Sequence, residues 1–128
     1  MTAVAVALGG ALGAVLRWGV GSWVVRSHIA AFPWATMGVN IIGSALLGGI
    51  TVWATETGGV SQELRLFLTV GLCGGFTTFS SFAYEAADFA AQGFTGRAGL
   101  YAVLSVVLCV AAVFGGGAVA QSLVATRH

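Results

Sequence analysis

Four apolar stretches run through the chain, residues 2–25, 34–54, 64–91 and 98–120, and polar or turn-forming residues collect between them. Each stretch approaches the roughly 20 residues that a helix needs to cross the hydrocarbon core of a bilayer. The breaks are Arg26-Ser27-His28 up to Pro33, Glu56-Thr57-Gly58-Gly59 up to Arg65, and Gln92-Gly93-Phe94-Thr95-Gly96-Arg97. Connections this short force neighbouring helices to run antiparallel. The pattern predicts an all-α membrane protein: a single transmembrane domain, residues 1–128, of four transmembrane helices. Trp18, Trp23, Trp34 and Trp53 fall mostly near the ends of stretches, where aromatic rings anchor helices at the membrane interface. The first stretch has no basic leader and runs long before its first charge, so a retained helix is expected rather than a cleaved signal peptide.

The third stretch departs from a plain apolar helix. Gly74-Gly75-Phe76-Thr77-Thr78-Phe79-Ser80-Ser81-Phe82 contains four hydroxyls, two glycines and no charge. Glycine weakens a helix through backbone entropy, and Thr and Ser compete for its backbone hydrogen bonds. A break near 74–78, close to the bilayer midplane, is therefore expected, and the carbonyls it frees need neighbouring helices, water or a cation.

Composition agrees with a membrane setting: 58% of the residues are hydrophobic and 7% charged, where soluble domains carry about 25% charged residues. The net charge is +1, lysine is absent, and the five arginines are scattered, which excludes nucleic acid as a partner. Arg26 and Arg97 fall on one side of the predicted bundle, Arg65 and Arg127 on the other. An even count gives the positive-inside rule nothing to act on. Either so small a sample carries no meaning, or the chain inserts both ways and pairs with an inverted copy of itself, building a symmetric pathway at the midplane.

Polar residues fall on helix faces. Gly9, Gly13 and Arg17 are four apart, so another backbone can approach that face. A central arginine costs about 2.5–3.5 kcal/mol on insertion scales; Arg17 either concentrates anions at a vestibule, or snorkels to the interface or caps a carbonyl. Thr36, Asn40 and Gly43 form one stripe, and Tyr101, Ser105 and Cys109 another. Asn40 reads as interhelical glue or as a neutral donor to a pathway, and Ser105 as packing or as a hydroxyl donor. Phe76, Phe79 and Phe82 lie three apart; they pack, or they turn positive ring edges toward an anion. Glu85 and Asp88 sit near a helix end, where solvation or pairing with Arg17 or Arg97 is expected over a metal or proton site. Cys73 and Cys109 have no metal or disulfide spacing and read as packing residues. No nucleophile–base pair and no phosphate loop stands out, so no enzyme is expected.

"GGALGAVLR" at Gly9 to Arg17, "PWATMGVNIIGS" at Pro33 to Ser44, "GLCGGFTTFSSFAYE" at Gly71 to Glu85, then Tyr101 and Ser105, resemble the Fluc (or CrcB) family of small fluoride channels. The resemblance implies a passive fluoride channel that relieves fluoride toxicity, in the cell (inner) membrane among lipid, as a dual-topology antiparallel homodimer or a pair with a homologous subunit. It implies a fluoride pathway of Asn40, Phe79, Ser81, Phe82, Tyr101 and Ser105, and a central sodium ion on the backbone carbonyls of Gly74 and Thr77; Arg17 is the candidate anion vestibule of such a channel. Cys109 stands where the family often has a further serine. A proton-coupled small multidrug exporter, or a membrane assembly subunit that transports nothing, is the alternative; the exporter needs a membrane-buried carboxylate, for which Glu85 and Asp88 are poorly placed.

Overall fold

The computed structural model describes residues 1–27 and 31–126. His28 and Arg127, used above in reading the first loop and the arginine count, lie outside the described residues. In chain order the elements are α1 (Thr2–Arg26), α2 (Trp34–Thr57), α3 (Gln62–Leu66), a π-helical segment (Phe67–Cys73), α4 (Gly74–Phe76), α5 (Phe79–Ala91) and α6 (Thr95–Ala125). The described residues are all-helical, and four bodies are long and apolar enough to span a bilayer: α1, α2, the run Gln62–Ala91, and α6. They make a multi-pass membrane protein.

Local chemistry sets the ends. Pro33 stands immediately before α2, where its missing N–H does no harm. Gly58 closes the same helix at φ 61°, a left-handed value that glycine adopts without a Cβ penalty. Ser61 opens α3 by accepting the Leu64 N–H at 3.2 Å, which satisfies one of the donors a helix start leaves over.

The helices pair as α2 with α6, α1 with the π segment and α4, and α5 with α6. Gly9 and Gly13 are the buried residues of α1. A Cβ built on Gly13 would overlap Leu72 O and lie 2.7 Å from Phe76 N, so α1 meets its neighbour backbone to backbone. The interior is thin: Met37, Phe82 and Tyr101 form the buried cluster, backed by Phe32 and Phe89. Large apolar side chains such as Leu8, Leu12, Trp18, Val103 and Phe114 face outward. Such a surface would drive aggregation in water, but it is the proper face toward lipid.

Candidate functional site

Between α4 and α5 the chain leaves helical geometry for two residues. Thr77 has φ −85° and ψ 160°, and Thr78 has φ −152° and ψ 114°. Asn40 of α2 holds this extended step from the side: its Nδ2 donates to Thr78 O at 3.0 Å, and its Oδ1 accepts the Thr78 N–H at 2.7 Å. One side-chain amide thus replaces both partners that Thr78 would have had in a helix. Thr78 also caps α5, its Oγ1 accepting the Ser81 N–H at 3.2 Å and donating to Ser81 Oγ at 3.0 Å.

These bonds redirect the helical ladder. In an unbroken helix the Thr78 and Ser81 amides would serve the carbonyls of Gly74 and Thr77. Here those amides go to Asn40 Oδ1 and Thr78 Oγ1. The Cys73 carbonyl accepts both the Thr77 N–H at 3.0 Å and the Thr77 hydroxyl at 2.9 Å. Gly75 O receives Arg17 Nε at 3.0 Å, a cation set against the carbonyl end of a helical segment, where the backbone dipole favours positive charge.

A cavity of about 280 Å³ opens beside the step, lined among others by Asn40, Thr77, Thr78, Phe79, Phe82 and Ser105. Ser105 is 5% exposed, and its hydroxyl has no hydrogen-bond partner among the described residues. A buried hydroxyl left alone costs about 1–3 kcal/mol. Phe79 and Phe82 stand with ring centroids 5.3 Å apart and planes at 53°; Phe82 is buried and Phe79 is 76% exposed. Gly43 lets the step come close, because a Cβ there would overlap Thr77 Cγ2 and lie 3.3 Å from Phe76 Cδ1.

Of the pathway residues expected from sequence, the structure gathers Asn40, Phe79, Phe82 and Ser105 on one cavity, with Gly74 and Thr77 on the same wall. Ser81 lies next to it, with its side chain on the Thr78 hydroxyl. Tyr101 is fully buried, ring to ring with Phe82 at 5.2 Å, and its hydroxyl donates to Glu85 Oε2 at 2.7 Å. Arg17 sits behind the break, on Gly75 O, rather than along the cavity. Glu85 takes hydroxyls in place of an arginine, since Thr36 Oγ1 donates to its Oε1 at 2.7 Å. Asp88 stays exposed and accepts from Gln92 Nε2 at 2.6 Å. Sequence reasoning missed the Thr36–Glu85–Tyr101 clamp and the part played by Thr78. The stripe Thr36-Asn40 and the face Tyr101-Ser105 were both visible, but nothing in one sequence says which carboxylate they meet.

The family model described as "CrcB-like protein, Camphor Resistance (CrcB)" matches residues 4–117. A protein of Hyphomonas neptunium named "Fluoride-specific ion channel FluC" is 53% identical over 110 residues, 85% of this chain and 87% of that one. A protein of the same name from Rhizobium etli is 44% identical over 122 residues, 95% of this chain and 98% of its own length. One from Thermus thermophilus, again of that name, is 52% identical over 103 residues, 80% of each chain.

Proposed function

The chain belongs to the CrcB family, and from that premise we propose that it is a fluoride-selective channel through which cytoplasmic fluoride leaves the cell passively. The single observation that carries the reading is that Ser105, whose buried hydroxyl has no partner among the described residues, lines the same cavity as Asn40 and the two phenylalanines. A small anion entering a low-dielectric path loses its hydration, so donors must replace water without holding the ion too tightly to leave. Ser105 Oγ supplies one such donor. Asn40 Nδ2 uses one of its two hydrogens on Thr78 O and has the other for the ion. Phe79 and Phe82 contribute positive ring edges and exclude water. Covalent chemistry has no part in this task, and the chain is a channel rather than an enzyme. The relatives' name leaves the exporter and the assembly subunit without support.

The break serves both charges. The amino end of α5 begins at Phe79 beside the cavity and favours an anion through its dipole. The carbonyls of Gly74 and Thr77, relieved of their helical donors, suit a hard cation. We read sodium as that cation; bound there, it would fix the break and offset the charge of passing anions. Two carbonyls make an incomplete shell, which supports an antiparallel dimer contributing a second pair, formed by an identical or a homologous subunit. On this reading the step lies near the midplane of the cell (inner) membrane, and Ser81 and Tyr101 line the pathway's continuation once two subunits meet.

Purified protein in liposomes tests the function. Fluoride efflux, followed with a fluoride electrode and with chloride efflux as control, is the expected result; release of both anions alike, or of neither, would overturn it. Accessibility labelling of cysteines placed at one loop reads orientation separately: labelling from both membrane faces supports inverted pairing, and labelling from one face alone excludes it.

A further inference from the structure

We propose that the cavity beside the break is a site for a soft, two-coordinate cation of the silver(I) class, held by Cys73 and Cys109, and that its occupation stops conduction. The second half of the proposal rests on the channel reading; the first does not. Cys73, on the π-helical segment, is 2% exposed, Cys109, on α6, is half-buried, and both are free thiols that line this one cavity. Ser105 precedes Cys109 by one helical turn, and it too lines this cavity, with a buried hydroxyl that has no partner among the described residues. The space these residues line is a cavity of about 280 Å³ with a mostly apolar lining, a setting in which soft sulfur donors stand out.

The donor set decides the class of ion. Among the described residues no group of three or more His, Cys, Asp or Glu side chains could hold a metal, so an ion that needs four such ligands has no seat. A d¹⁰ monovalent cation is satisfied by two sulfurs in line, and soft thiolates select such ions over hard ones. The thiolate is the ligand, so each thiol gives its proton to water as its sulfur–silver bond forms. Two thiolates and one monovalent cation leave the cavity with one net negative charge. The bound ion thus narrows the path and also repels the anion that uses it.

The test uses wild-type protein in liposomes in chloride-free nitrate buffer, with silver nitrate as the probe and fluoride efflux as one readout. Efflux is expected to fall at least about tenfold near one silver per chain and to return with excess dithiothreitol. Cys73→Ser and Cys109→Ser singly should each raise the half-blocking silver concentration at least about tenfold, and the double variant should lose the block, each read against its own untreated rate. Wild-type efflux untouched by silver, or a double variant blocked equally, would overturn the proposal; a single variant with wild-type sensitivity removes its thiol from the site. Silver retained per chain after desalting, measured by elemental analysis on detergent-solubilised protein, reads the site without transport. One equivalent on wild type and a loss in either single variant are expected, and no retained silver overturns the site. Absence of efflux before any silver is added is instead a failure of the channel reading.

Discussion

Asn40→Asp changes an amide into a carboxylate of almost the same shape, and the structure separates what that does to the break from what it does to the ion. Oδ1 keeps its bond from the Thr78 N–H at 2.7 Å, but the donor to Thr78 O at 3.0 Å is replaced by an oxygen. Depriving that carbonyl of its partner costs about 1–3 kcal/mol of stability. The added charge acts on the ion: an anion passing about 4 Å away, at an effective dielectric constant near 20, meets a repulsion of about 4 kcal/mol. A barrier raised by that amount slows passage by about a thousandfold. Asn40→Ala removes both bonds without adding charge, so it should lower the thermal midpoint further than Asn40→Asp yet slow fluoride less. The assay pairs fluoride efflux from liposomes with thermal unfolding in detergent, on protein that elutes like wild type in gel filtration. Efflux of Asn40→Asp within about threefold of wild type would take Asn40 out of the ion path. Equal losses of flux in the two variants would leave it only the role of holding Thr78.

Ser105→Ala removes a buried hydroxyl that has no partner, so stability should hold or rise by up to about 1 kcal/mol while fluoride efflux falls about tenfold; unchanged efflux refutes the assignment. Tyr101→Phe deletes the donor to Glu85 Oε2 at 2.7 Å but keeps the ring packing, and the loss should be about 1.5–3 kcal/mol in chemical or thermal unfolding. A wild-type midpoint there would mean that the clamp contributes nothing. Gly13→Val forces a side chain into Leu72 O and Phe76 N and should destabilise by about 1–3 kcal/mol or more. A fully stable Gly13→Val protein would show that α1 can shift away from the break at no cost.

The four spans were legible because helix length in a bilayer is a one-dimensional property, and hydropathy is read in one dimension. Asn40, Phe79, Phe82 and Ser105 were legible as members of helix faces, and they share one cavity. What one chain could not display is which faces meet. Asn40 reaches Thr78 across 38 positions and Arg17 reaches Gly75 across 58, and no local pattern encodes such distances. Arg17 had two open readings, an anion vestibule or a carbonyl contact, and the structure gives it the bond to Gly75 O. The hydroxyl clamp on Glu85 was hidden for the same reason. Thr36 and Tyr101 come from α2 and α6, and the packing of those two helices on each other and on α5 brings both to the Glu85 carboxylate.

The double bond between Asn40 and Thr78 has an evolutionary consequence. Asparagine there copies a peptide unit, offering one N–H and one C=O in the spacing that an extended residue accepts. Only glutamine carries the same pair, on a longer arm. Position 40 is therefore narrowly constrained, because every replacement other than glutamine surrenders at least one of the two bonds to Thr78. Thr77 and Thr78 share that duty, but the side chains of Phe79 and Cys109 line the same cavity and hold no hydrogen bond at the break among the described residues. A lineage that retunes which anion passes, or how fast, has those walls to vary, while the side chain at the centre stays fixed by the fold before transport is ever selected.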